Sequence, residues 1–346
     1  MKTFFIIPTL KCGGAEHVSI TFAKQLKDQE VKFINLGVDE GELKESIERN
    51  FPLISLNSKR SISACLGLRK IIKKEKPDYI FATHIHVAVI LLMILPGKSS
   101  KVIVRIPTMP SNELYKGFKI KVLEFLERKL FKKAYAIIAQ TDEMKQEINR
   151  ILKIELSKIV TITNPVDIDQ IDEQTRNSTS PYDSTKDNYL AVGNISPAKA
   201  YDVLIKSFET VVQHNPNAHL HILGRYDSEY AAGILEIAKG CPNIHFHGFC
   251  QTPYIYMKHC STFVLSSRME GLPNVVLEAM YLNKPVVATT CVPIIDKLIT
   301  SGINGFKAEP ENAISLADAM IKALEIKDIH NKYCENSNEF LKLFKK

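Results

Sequence analysis

The chain has no C-x-x-C pair. Its seven cysteines, an odd number, are scattered without metal-ligand spacing. That excludes a cysteine-built zinc module or a disulfide-stapled secreted scaffold and predicts reduced thiols in a cytosolic compartment. Long apolar runs are also missing. The longest, 85–95, is interrupted by His86 and falls far short of the roughly 20 residues that span a bilayer. The opening M-K-T-F-F-I-I-P-T-L has too short an apolar run for a signal peptide and leads straight into C-G-G-A-E, so it reads as a first β-strand. No G-x-G-x-x-G stands at either point where a dinucleotide domain would begin, which counts against a Rossmann oxidoreductase. There is no low-complexity tract.

What is present is an ordinary globular composition. With 346 residues, 45% hydrophobic and 24% charged, the chain is long enough for two domains with separate cores. The net charge of +7 is unevenly spread: between Lys59 and Lys133, 17 Lys and Arg stand against 5 Asp and Glu. A basic first half calls for an anionic partner, whether a membrane surface, a pyrophosphate-bearing acceptor or nucleic acid. No compact aromatic–basic motif for bases accompanies it, which disfavours nucleic acid.

Short apolar runs alternate with helical patterns along the chain. Strands are predicted at 3–8, 31–36, 51–56, 79–83, 101–106, 136–139 and 159–162, and again at 188–192, 219–223, 244–246, 261–265 and 285–289. The helices that follow include one opened by Gly13-Gly14-Ala15-Glu16, a basic one at 61–76, one at 117–133, and those at 201–214, 254–259 and 314–324. Residues 168–187, rich in Asp, Ser, Thr and Asn, read as a linker. The domains expected are therefore 1–167 and 188–335, with a Lys-rich tail at 336–346. Two runs of strand–turn–helix give an α/β fold class of two doubly wound Rossmann-like domains.

The most informative stretch is Ser266 to Thr290, S-S-R-M-E-G-L-P-N-V-V-L-E-A-M-Y-L-N-K-P-V-V-A-T-T. Pro273 and Asn274 signal a helix start, Asn283 and Pro285 its end. Glu270 lies on the turn before the helix and Glu278 about one turn inside it. In open parallel sheets ligands bind at the carboxyl edge, and a helix N-terminus attracts anions.

The phrase E-G-L-P-N-V-V-L-E-A-M resembles the signature of the retaining GT-B glycosyltransferases, specifically glycosyltransferase family 4. The resemblance covers nearly the whole chain and is strongest over 188–310. It implies two domains facing a cleft, a C-terminal helix returning to the first domain, and transfer of a sugar from a nucleoside-diphosphate donor, UDP- or GDP-linked, to an acceptor hydroxyl. No cofactor is implied and no metal, since no D-x-D stands in a suitable turn. Glu278 would bind the ribose hydroxyls, and Glu270 the sugar hydroxyls near the anomeric carbon, as nucleophile or as positioning group. Backbone N–H groups across Gly271, Leu272, Pro273, Asn274 and Val275 would meet the sugar and diphosphate.

Lys199 matches the lysine that neutralises the donor diphosphate in the family's G-R-L…K-G turn. Asn194 stands where the arginine is usual and Ala200 where the second glycine is usual, with Arg225 and Arg268 as cations that could compensate. Gly248 and Phe249 are the expected base contacts. G-G-A-E resembles the family's first loop, with Gly13 and Gly14 near the donor. His84, or His86 in an alternative alignment, matches a histidine that contacts the donor sugar and leaving phosphate. Asn164-Pro165-Val166-Asp167 resembles the turn that closes the first domain, and Gly302–Phe306 the G-x-x-G hairpin late in the second.

The helix at 117–133 is expected to place Phe118, Val122, Phe125, Leu126 and Leu130 on one face. Lys119, Lys121, Arg128, Lys129, Lys132 and Lys133 would form a rim suited to an anionic membrane or acceptor. The enzyme so implied would be a hexosyl- or N-acetylhexosaminyltransferase of polysaccharide or lipopolysaccharide O-antigen synthesis. It would act on a glycan, lipid-linked in this reading, at the cytoplasmic membrane face. Two alternatives remain open: another GT-B enzyme such as a sugar-nucleotide epimerase, and a non-catalytic basic binding protein.

Overall fold

The computed structural model describes residues 1–95, 100–111, 118–326, 329 and 337–344, without the side chains of 118–121 and 337–338. The chain forms two compact units, Met1–Val166 with Glu335–Lys346, and Asp167–Cys334.

The first unit holds strands β1 (Lys2–Ile7), β2 (Glu30–Asn35), β3 (Leu53–Ser55), β4 (Tyr79–Ala82), β5 (Lys101–Arg105), β6 (Ala136–Ala139) and β7 (Ile159–Thr161). They make one parallel sheet in the order β3-β2-β1-β4-β5-β6-β7. Side chains alternate across it: Phe4 and Ile6 enter one apolar layer, Phe5 and Ile7 the other. Helices cover both faces, so the strands read as unbroken apolar runs rather than alternating ones. Helix Ser337–Lys342 closes one face, with Phe340 fully buried 4.3 Å from the Phe22 ring and also against Phe81.

The second unit contains β8 (Asp187–Val192), β9 (Ala218–Leu223), β10 (Ile244–Gly248), β11 (Thr262–Leu265), β12 (Val286–Thr289) and β13 (Gly305–Ala308). Its parallel order is β10-β9-β8-β11-β12-β13. In both sheets the winding reverses next to the first strand, between β1 and β4 and between β8 and β11. The loops leaving those neighbours run to opposite sides and open a crevice at the carboxyl edge, which is where doubly wound sheets bind ligands.

Three expectations change. The stretch 168–187 is not a plain linker: helix Ile168–Thr175 is capped by the Asp167 carboxylate and buries Ile171 and Thr175, and Tyr182 is buried with its hydroxyl on Tyr256 O. Its polar composition hid a helix that needs only two buried positions. Gly302–Phe306 is a turn rather than a two-stranded hairpin, since the bridge between Ser301 and Gly305 is parallel and β13 continues alongside β12. The face drawn for 117–133 splits in two. Leu123, Leu126 and Leu130 pack on the core, whereas Val122 and Phe125 face out, 43% and 56% exposed. Gly117 and the side chains of Phe118, Lys119 and Lys121 lie outside the described residues. Among those described, no helix is long and apolar enough to cross a membrane.

Candidate functional site

In the second unit, the residues singled out from sequence gather on the loops that flank the β8/β11 switch point. After β8 come Gly193, Asn194 and the 3-10 turn Pro197–Lys199; after β11 come Ser266 to Glu270 and the helix Asn274–Tyr281. Lys199 Nζ sits 2.6 Å from Glu270 Oε1, which also accepts from Ser267 Oγ at 2.8 Å. The two chain segments are tied by backbone as well. Arg268 N–H donates to Ala198 O, and Ser266 Oγ–H to Lys199 O at 2.8 Å. Tyr201 reaches back to Gly193 O at 2.8 Å, and the Cys291 thiol nearby is pushed up to about 12 by burial and by the Glu270 charge. The lysine and glutamate expected on two parts of one donor thus hold each other.

The helix start supplies fewer donors than expected. Gly271, Leu272 and Pro273 are buried, and Pro273, the N-cap, has no N–H to give. The first helical residues Asn274 and Val275 are half-buried. Glu278 is 8% exposed and hydrogen-bonded by Tyr254, a partner that sequence could not supply, and burial pushes its acid up to about 7.

Of the two compensating arginines, Arg268 is committed elsewhere. Its guanidinium grips Asp202 at 2.6 and 3.0 Å and also binds Glu311 and Pro197 O. Arg225 lies at the end of β9 beside Asn194, whose Oδ1 accepts its N–H at 3.1 Å. Its guanidinium stacks over the Phe249 ring, 4.9 Å from the centroid. Gly248, at φ 73°, ends β10 next to Tyr226. Asn194 therefore brings no charge itself but seats the turn that carries Arg225.

On the same sheet His219, His221, His245 and His247 form a ladder across β9 and β10. Ring-nitrogen contacts join His219 Nδ1 to His245 Nε2 at 2.8 Å, the two rings 2° from parallel, and His221 Nδ1 to His247 Nε2 at 2.9 Å, the rings tilted by 23°. Within each pair one ring nitrogen donates and the other accepts. Among the described residues no group of three or more His, Cys, Asp or Glu could hold a metal ion.

Glu278 and the ladder give stability two opposed pH limbs. Glu278 holds its proton more tightly folded than unfolded, so its penalty is absent below the ordinary 4.5 and grows as pH rises to about 7. The four imidazoles are held below their ordinary 6.5, His221 down to about 3, by burial and by one another. They destabilise the fold as pH falls below 6.5. Denaturant unfolding at pH 5, 6.5 and 8 should show Glu278→Gln gaining about 3 kcal/mol over wild type at pH 8 and little at pH 5. His221→Asn should flatten the acid limb alone. Parallel profiles for all three proteins would contradict both assignments.

In the first unit, Gly13 caps and Gly14 begins the helix Gly14–Lys24 after β1, while His84 caps Ile85–Ile94 after β4. His84 Nε2 lies 3.1 Å from Glu16 Oε1, and His86 is its ring neighbour at 5.7 Å. The basic helix Phe118–Leu130 carries an Arg128–Glu124 pair and sets Lys129 Nζ 4.7 Å over the exposed Phe125 ring, with Lys132 and Lys133 exposed just beyond.

Comparison with known proteins covers both units. The family model "Glycosyl transferases group 1" matches residues 172–340 and "Glycosyltransferase Family 4" matches 12–170. An uncharacterized glycosyltransferase of Methanocaldococcus jannaschii is 28% identical over 76% of this chain and 75% of its own length. A Campylobacter jejuni N-acetylgalactosamine-N,N'-diacetylbacillosaminyl-diphospho-undecaprenol 4-alpha-N-acetylgalactosaminyltransferase is 24% identical over 72% of this chain and 67% of its own. Among solved structures, Anabaena HepE in complex with UDP and glucose superposes with a TM-score of 0.79 at 19% identity, covering 99% of this chain and 92% of that one. The likeness shows the fold: two Rossmann-like α/β domains of the GT-B class.

Proposed function

The chain belongs to the group 1 glycosyl transferases, glycosyltransferase family 4, and on that premise we propose that it is a retaining, metal-independent enzyme. It moves a hexosyl or N-acetylhexosaminyl group from a UDP- or GDP-sugar to a hydroxyl of a lipid-linked glycan. The product belongs to a cell-surface polysaccharide or lipopolysaccharide O-antigen. The observation that carries this reading is the Lys199–Glu270–Ser267 cluster across the β8/β11 switch point.

Departure of a nucleoside diphosphate builds negative charge on the β-phosphate, and a fixed ammonium beside it stabilises the transition state. Lys199 supplies that charge, and Arg225, seated by Asn194, adds a second on the base side. Glu270 Oε1 accepts from two donors, which lowers its nucleophilicity and supports a positioning role. The acceptor hydroxyl then attacks from the face the diphosphate leaves, and a β-phosphate oxygen takes its proton. Glu278, once ionised, binds the ribose hydroxyls.

A panel of UDP- and GDP-sugars, assayed for nucleoside-diphosphate release with and without lipid-linked glycan, tests the reading. One donor should give acceptor-dependent release with the sugar on the acceptor; turnover that needs no acceptor and yields an epimerised sugar or sugar nucleotide would favour an epimerase-like enzyme instead. The undecaprenol-linked substrate in the Campylobacter relative's name supports the lipid-linked acceptor.

The basic first unit would meet that acceptor peripherally, at the cytoplasmic face of the membrane. Lys129, Lys132 and Lys133 beside the outward Val122 and Phe125 suit an anionic lipid surface, each cation contributing about 1 kcal/mol. Replacing the three lysines with Gln should lower flotation with anionic vesicles at low salt about tenfold or more. Unchanged flotation would remove this helix from the membrane contact.

A further inference from the structure

In each unit an ionisable pair bridges the two segments that part at the switch point. Lys199 and Glu270 do so after β8 and β11. Glu16 and His84 do so after β1 and β4. The second pair is built with some care. Glu16 is 6% exposed and lies in the first turn of Gly14–Lys24, where a carboxylate is favoured by the helix dipole. Its Oε2 occupies the space a side chain at 13 would need, since a Cβ on Gly13 would come within 2.6 Å of it and 3.6 Å of the Glu16 Cδ. That glycine makes room for the Glu16 carboxylate. Behind the pair, the buried Ser19 and Thr83 hydroxyls bond at 3.0 Å and lock the helix to the end of β4, and Thr83 Oγ1 lies 3.3 Å from His84 Nδ1.

We propose that Glu16 is a positioning residue for sugar transfer, holding His84 in one orientation with the proton on Nε2. An ionised carboxylate can only accept, so the 3.1 Å contact requires a proton on Nε2. That leaves Nδ1 as the nitrogen able to accept from the Thr83 hydroxyl or to exchange that contact for a ligand hydroxyl. A carboxylate behind an imidazole fixes tautomer and ring direction in this way wherever a histidine must meet a ligand at a set angle. The role rests on the reading that His84 takes part in transfer.

The test is a cycle of Glu16→Ala, His84→Ala and the double variant, with kcat and donor KM measured separately, plus nitrogen NMR of the histidine rings. Glu16→Ala should lower kcat about tenfold or more with donor KM within about twofold. The double variant should be no slower than His84→Ala, because Glu16 acts only through the ring. The His84 spectrum should show the proton on Nε2 in wild type and a tautomer mixture in Glu16→Ala. Effects that multiply in the double variant, an unchanged kcat, or a proton on Nδ1 in wild type would each overturn the proposal. If wild-type protein transfers no sugar from any donor, the functional reading fails by itself. The tautomer measurement needs no substrate, and a proton on Nε2 that persists in Glu16→Ala would then rule out Glu16 as the orienting group.

Discussion

Glu270→Ala and Lys199→Ala are each expected to reduce sugar transfer about a hundredfold or more while leaving a folded protein. The expectation follows from how the two loops are held. Each keeps backbone and hydroxyl ties that do not involve the pair, Arg268 N–H to Ala198 O and Ser266 Oγ–H to Lys199 O. Losing the ion pair therefore costs about 2 kcal/mol but not the loop positions. The pair is partly shielded, with side-chain exposures of 26% for Lys199 and 14% for Glu270, so its charges act at closer to full strength than surface charges would. Removing Lys199 strips the positive charge from the departing diphosphate and should depress kcat more than donor KM. Glu270→Ala frees Lys199 and removes the carboxylate proposed to anchor the sugar, so both constants should suffer. Circular dichroism and melting curves check the fold. Activity near wild type in both variants would sink the assignment of this cluster.

The second large effect is structural and reaches the same site. A Cβ on Gly224 would lie 2.0 Å from Gly193 O and 2.9 Å from Asn194 N, both backbone atoms that cannot step aside. Those atoms are held by the bonds that stack the turns after β8, β9 and β10: Gly193 N–H to Leu223 O and Gly224 N–H to Gly248 O, both 2.8 Å, and Ile195 N–H to Arg225 O at 2.9 Å. Gly224→Ala must break this stack. We expect a loss of at least about 3 kcal/mol of stability, together with loss of donor binding, because Asn194, Arg225 and Phe249 all hang from it. The readouts are denaturant midpoint and donor titration. A variant with wild-type midpoint would mean that the three turns are not packed as described.

The βα rhythm was legible because strands buried on both faces are continuous apolar runs, and because helices such as Tyr201–His214 have a clear 3.6-residue period. The helix Ile85–Ile94 was not, since its residues are apolar on nearly every side and periodicity has nothing to act on. The phrase around Glu270 named the family, and Lys199 could be placed in the turn after a strand. What no local rule could give was pairing. Lys199 and Glu270 are 71 residues apart, and Glu16 meets His84 only because β1 and β4 are neighbours in the sheet. Arg225 over Phe249 and Tyr254 on Glu278 are likewise products of strand order. The expected arginine at 194 was absent, and only the turn geometry shows what Asn194 does instead.

The burial of Phe340 among Phe22, Phe81 and Phe344 also sets an order of events during protein synthesis. The ring that seals one face of the first sheet is encoded after the whole of the second unit. At cellular elongation rates that delay is roughly ten to thirty seconds. Throughout it, the nascent first unit presents an aromatic surface with no lid, while the second unit, continuous in sequence, can fold as soon as it emerges. The half of the protein made first is thus the half finished last, and it is the one that would depend on chaperones.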